Sequence, residues 1–144
     1  MPGQYTNAID LAVDARMNRQ EVLRRKEPPW VVIVMLESVI RTEVGSKEIT
    51  KAQLARVLEL SQEPNINILV VPDGSQVFPA AGFTLFTLAD EPEIGFVESA
   101  GGTGRVIELG SQVEELRRLW DLIGSSALTD SASRDLIREV MEGL

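Results

Sequence analysis

Two glutamates stand where they could do chemistry. Glu37 closes the apolar run Val31-Val32-Ile33-Val34-Met35-Leu36, and Glu98 closes Ile94-Gly95-Phe96-Val97. A carboxylate at the C-terminal end of a strand points beyond the sheet, where open sheets with crossover helices form their pockets. Two carboxylates facing one pocket can serve as acid and base when their surroundings separate their pKa values. The same pair also reads as structure, each carboxylate held by a partner and inert, because a buried charge without a partner is very costly. Arg16 and Gln20 are the partners expected for Glu37. On the catalytic reading, Arg16, Arg19 or Gln20 orients a substrate, and Glu37→Gln leaves folding intact while abolishing turnover.

The rest of the composition narrows the chemistry by exclusion. The 144 residues contain no Cys and no His. Thiol catalysis, disulfides, iron–sulfur ligation, a Ser-His-Asp triad and His-based metal sites are therefore outside this chain's reach. The formal charge of −8 argues against a nucleic-acid partner, since that polyanion is held largely by Lys and Arg. Arg16, Arg19, Arg24, Arg25 and Lys26 form a local basic cluster, which reads as the solvated face of a helix. Gly101-Gly102-Thr103-Gly104 lies between two predicted strands with no Gly-Lys-Ser/Thr after it, so it reads as a hairpin turn rather than a phosphate loop. Asp90, Glu91 and Glu93 form an acidic stretch without calcium-loop spacing, expected at a solvated hairpin tip. No cofactor motif and no metal-ligand spacing is present. Trp30, Phe78 and Phe83 are the aromatic candidates for a binding site, Phe78 because it falls in a long loop.

These residues need a scaffold, and its elements are readable. A first helix is expected from Thr6 to Lys26, ended by Pro28-Pro29. Projected at about 100° per residue, Ile9, Val13, Met17 and Leu23 share one face with Arg16 and Gln20. Trp30–Leu36 reads as a strand covered on both faces. A short helix follows from Ser38 to Val44 and stops at Gly45. Ser46 caps a further helix over Lys47–Leu60, and Ile66–Val71 is a second buried strand. Strand, helix and strand make a parallel crossover. After the Pro72–Ala81 loop, short strands over Phe83–Ala89, Ile94–Glu98 and Arg105–Leu109 form an antiparallel meander. Ser111 and Glu114 have capping-box spacing for a helix with Val113, Leu116, Leu119, Trp120 and Ile123 inward. A last helix begins near Asp130–Ser133, with Leu136, Ile137, Val140 and Met141 inward. The class is α+β, a mixed sheet of about five strands with packed helices in one domain over 1–144. No apolar run is long enough to cross a bilayer and no signal peptide is visible, so a cytoplasmic protein with no membrane partner is expected.

Several fragments together carry a resemblance. They are Arg16-Met17-Asn18-Arg19-Gln20, Glu37-Ser38-Val39-Ile40-Arg41 leading to Gly45, Gln53-Leu54, Asn65-Ile66-Asn67-Ile68 running to Val71-Pro72, Gly82-Phe83-Thr84-Leu85, Val97-Glu98 and Ser133-Arg134-Asp135-Leu136-Ile137. Their order resembles the C-terminal domain of unknown function in actinobacterial Scr-type antitoxin-like regulators, which carry an XRE-family helix-turn-helix ahead of it. The resemblance covers nearly the whole chain and leaves no room for that DNA-binding domain, which implies a stand-alone effector-like module. Three readings follow. The first is a small-molecule-binding domain with Arg16, Arg19, Gln20, Trp30, Phe78 and Phe83 at its site. The second is a cofactor-independent acid–base enzyme of natural-product biosynthesis, performing dehydration, cyclisation or isomerisation with Glu37 and Glu98. The third is an interaction module forming a homodimer or holding a small companion protein.

Overall fold

A computed structural model of the chain describes residues 2–75, 81–99 and 101–144. Helix α1 spans Pro2–Arg19 and a 3₁₀ turn continues it over Gln20–Arg24. Strand β1 follows at Val31–Leu36, then helices α2 (Glu37–Arg41) and α3 (Lys47–Leu60), then β2 (Ile66–Val71). Strands β3 (Phe83–Leu88), β4 (Glu91–Glu98) and β5 (Gly104–Ile107) precede helices α4 (Gly110–Ser125) and α5 (Asp130–Glu142).

The α+β class stands, and the five strands divide between two sheets. One is the parallel pair β1–β2, in register from Val31↔Ile66 to Leu36↔Val71. The other is the antiparallel meander β3–β4–β5. Ser46 caps α3 as its spacing requires, its hydroxyl accepting the Ile49 N–H at 3.1 Å. The glycine turn between β4 and β5 needs residues that tolerate positive φ, and Gly101 and Gly102 sit at +87° and +79°.

The main core lies between β2, α3 and α5. Ile40, Leu54, Ile66, Ile68, Val70, Ile137 and Val140 form it, with Leu136 and Met141 packed at its edge. Alternation along β2 explains part of this, since Ile66, Ile68 and Val70 face the two helices. The far edge of β2 is blocked at Val70 by Leu128, just before α5, and by Ser133 within it. Leu128 donates its N–H to the Val70 carbonyl at 2.8 Å, and the Val70 N–H donates to the buried Ser133 hydroxyl at 2.9 Å. Ser133→Ala would strip that N–H of its acceptor in a fully enclosed position. The expected loss is about 1–3 kcal/mol of unfolding free energy, read as a lower urea midpoint at unchanged slope.

Several expectations are corrected. The stripe Ile9, Val13 and Met17 is not buried: these side chains are 62%, 51% and 55% exposed. Among the described residues, helix α1 makes its main contacts with the 3₁₀ turn that continues it. Arg16 and Gln20 interrupt its apolar stripe, and α3 and α5 already close the core without it. Both residues are exposed, and the Glu37 carboxylate is held instead by Arg41 and the Asp73 backbone. Glu37 does not end β1 but opens α2. Strand β1 is only half-buried, with Ile33 exposed. Helix α4 starts at Gly110, two residues too early for a Ser111 cap, and no side chain caps it. Glu93 lies within β4, ion-paired, rather than at a solvated tip.

Candidate functional site

Glu37 sits where the extended backbone of Leu36 turns into α2. Its Oε2 accepts the Asp73 N–H at 2.6 Å, from the loop that leaves β2. Its Oε1 accepts Nε and Nη2 of Arg41 at 3.0 and 2.8 Å. Arg41 is one helical turn on, at the spacing that brings side chains together. The Asp73 hydrogen bond and then Arg41 hold the Glu37 carboxyl below its ordinary value of 4.5, against the opposing effect of burial. A carboxylate with both oxygens occupied and its charge stabilised is a clamp between the C-terminal ends of β1 and β2. It is poorly set to deliver or take a proton near neutral pH.

Glu98 lies at the exposed end of β4. Its N–H donates to the Gly82 carbonyl at 2.9 Å, and its side chain lies over Gly82, where an added Cβ would come within 2.6 Å of Oε2. The two glutamates line no common cavity among the described residues.

The cavity that gathers candidate residues lies instead between the two sheets. Its volume is about 550 Å³, within the range of ligand sites. One wall is β1 with the preceding Trp30, the other is Phe83, Thr84, Leu85 and Thr87 of β3, and α4 contributes Arg117 and Trp120. A smaller chamber of about 110 Å³ shares Val34, Phe83 and Trp120 with it and continues along Met35, Leu36, Ala81, Gly82 and Ile123. Phe83 and Trp120 meet edge to face, ring centres 6.5 Å apart, which fixes both rings. Trp30 is 75% exposed at the opposite end, its Nε1–H donating to Asn67 Oδ1 at 2.7 Å.

One ion pair borders the cleft. Arg117 donates Nε–H and Nη2–H to the two oxygens of Glu93, and the Thr87 hydroxyl donates to the same carboxylate at 2.8 Å. Arg117 holds the Glu93 carboxyl below its ordinary range, and Glu93 in turn raises the Arg117 guanidinium. The charges compensate each other, so the cleft presents aromatic and aliphatic surface with strand backbone. Among the described residues no group of three or more acidic side chains is placed to hold a metal ion. No described helix is long and apolar enough to cross a membrane.

Of the residues named from the sequence, Trp30 and Phe83 come together in this cleft. Arg16 and Arg19 stay on exposed α1. Gln20 borders a different groove of about 270 Å³, beside Leu23, Arg24, Arg56 and Glu63. Phe78 lies outside the described residues. Trp120 was expected in the core and instead faces the cleft, while Arg117 was not singled out at all. The available signal was their spacing: Arg117 lies one turn before Trp120, at the edge of the α4 stripe.

A small α+β domain with its cleft between a parallel strand pair and an antiparallel meander is the class defined so far. A family described as a domain of unknown function (DUF5753) matches residues 2–139, and the chain belongs to that family. No curated protein and no solved structure matches the chain.

Proposed function

We propose that this domain is a binding module and that the cleft between the two sheets is its recognition site. The observation that carries this reading is convergence. Trp30, Phe83, Trp120 and Arg117, whose charge Glu93 compensates, border one volume large enough for an organic ligand or a short stretch of chain. The resemblance to regulator C-terminal domains supports an effector role, in which occupancy of the cleft is what the module reports. The acid–base reading has less behind it, because Glu37 is committed to Arg41 and Asp73 and shares no cavity with Glu98.

The chain offers its own probe. It has two Trp residues, and both line the cleft. A ligand seated there is expected to change Trp emission and to raise the melting temperature together as it saturates. A compound that raises the melting temperature with no change in emission would place the site elsewhere.

A further inference from the structure

Sheet edges are pairing templates, and proteins normally blunt or cover them. Two of the four edges here are managed. The far edge of β2 is blocked at Val70 by Leu128 and Ser133, and the far edge of the meander is the short β5, which carries Arg105. Among the described residues no strand pairs with the other two edges, β1 and β3, and both strands line the cleft. β1 reads Val-Val-Ile-Val-Met-Leu, with no charge, proline or glycine to discourage pairing.

The geometry of the gap is informative. The end of β1, Val34–Leu36, lies opposite Ala81–Phe83, while its beginning lies opposite Thr84, Leu85 and Thr87. The two strands therefore run antiparallel. Along nearly all of their length their Cα atoms stay more than 8 Å apart. Paired strands lie about 4.8 Å apart, so the cleft exceeds one ladder spacing, and a single inserted strand would need about two.

We propose that the occupant of the cleft is an extended peptide segment, which enters as a strand between β1 and β3 and joins the two sheets into one. This rests on the reading of the cleft as the recognition site and names its ligand class. Because the lips are antiparallel, the guest strand runs parallel to one and antiparallel to the other. One aliphatic side chain of the guest seats in the chamber of about 110 Å³ beside Leu36, Gly82 and Ile123. Ladder hydrogen bonds supply affinity and that chamber supplies selectivity. The host's charge of −8 favours a neutral or basic guest.

The test uses the full chain, ¹⁵N-labelled, and a degenerate pool of end-capped peptides about six residues long, rich in Val, Thr and Lys. The selected binder is expected to slow amide exchange in both Val31–Leu36 and Phe83–Leu88 by about tenfold or more. N-methylation supplies the decisive contrast. Successive N–H groups of a strand point to opposite sides, so a guest bonded on both sides loses at least about tenfold in affinity when either alternate set is methylated. Sensitivity to one set only would mean a guest on a single lip and would overturn the insertion. Slow exchange of both edges in the free protein would mean that β1 and β3 zip to each other, again overturning it. If small organic molecules shift Trp emission and no peptide does, the cleft reading survives and the peptide proposal fails. If neither class does, both fail.

Discussion

Glu37→Ala is expected to lower the unfolding free energy by about 2–3 kcal/mol, measured by urea denaturation at pH 7. The side chain is enclosed and accepts three hydrogen bonds, one from the Asp73 backbone and two from Arg41. Its removal leaves the Asp73 N–H without its acceptor and unties the loop after β2 from the start of α2. The figure sits at the low end for a broken buried pair because Arg41 is 48% exposed and returns its charge to water at little cost. Glu37→Gln should lose less, since an amide oxygen can still accept from Asp73 while its NH₂ faces Arg41 unfavourably. This reverses the catalytic expectation for the same substitution, in which the fold was to be indifferent to it.

The same clamp has a pH signature. The folded Glu37 carboxyl titrates below its ordinary value of 4.5, and so does Glu93. As pH falls, the unfolded chain takes up these protons first, so acid favours unfolding. Their stabilisation is complete above about pH 4.5 and is lost as pH drops through the folded values. Glu37→Gln removes one of the two contributions. Its stability should therefore fall less steeply below that pH than that of the parent, with the share of Glu93 remaining. An unchanged acid limb would mean that Glu37 is not held as described.

Local signals were the readable part of this chain. Ser46 announced α3 because a cap and its helix are neighbours in sequence. The crossover Val31–Leu36, Lys47–Leu60, Ile66–Val71 followed from apolar runs and their lengths. What failed was knowing what covers a face. Ile9, Val13 and Met17 have helical spacing whether or not anything packs on them, and here more than half of each side chain stays in water. Glu37 shows how one boundary propagates. As the last residue of a strand it needs a distant partner, such as Arg16 or Gln20. As the first residue of α2, its partner Arg41 is a single turn away. Trp120 fitted the inward stripe of α4, but the sheet beneath that stripe is split and the ring borders the split. Such a gap is a tertiary fact that periodicity does not encode.

Trp30→Ala should show the opposite signature to the Glu37 variants. Its indole is mostly in water, with one exposed hydrogen bond to Asn67, so its loss should cost less than about 1 kcal/mol of stability. Yet the ring stands at one end of the cleft, where an occupant would bury it. Exposed aromatic rings that become enclosed on binding are frequent hot spots, and truncation there is expected to weaken a cleft ligand at least about tenfold. Trp120 stays in place to report the titration by its emission, so affinity and melting temperature come from one sample. Trp120→Ala is the less clean variant, because that ring also braces Phe83 and its loss would disturb the β3 wall itself. Undiminished affinity in Trp30→Ala, for a ligand that perturbs Trp120, would confine the site to the inner chamber at Leu36 and Gly82. Loss of affinity at unchanged stability would instead place the ligand along the full length of β1, from Trp30 to the clamp at Glu37.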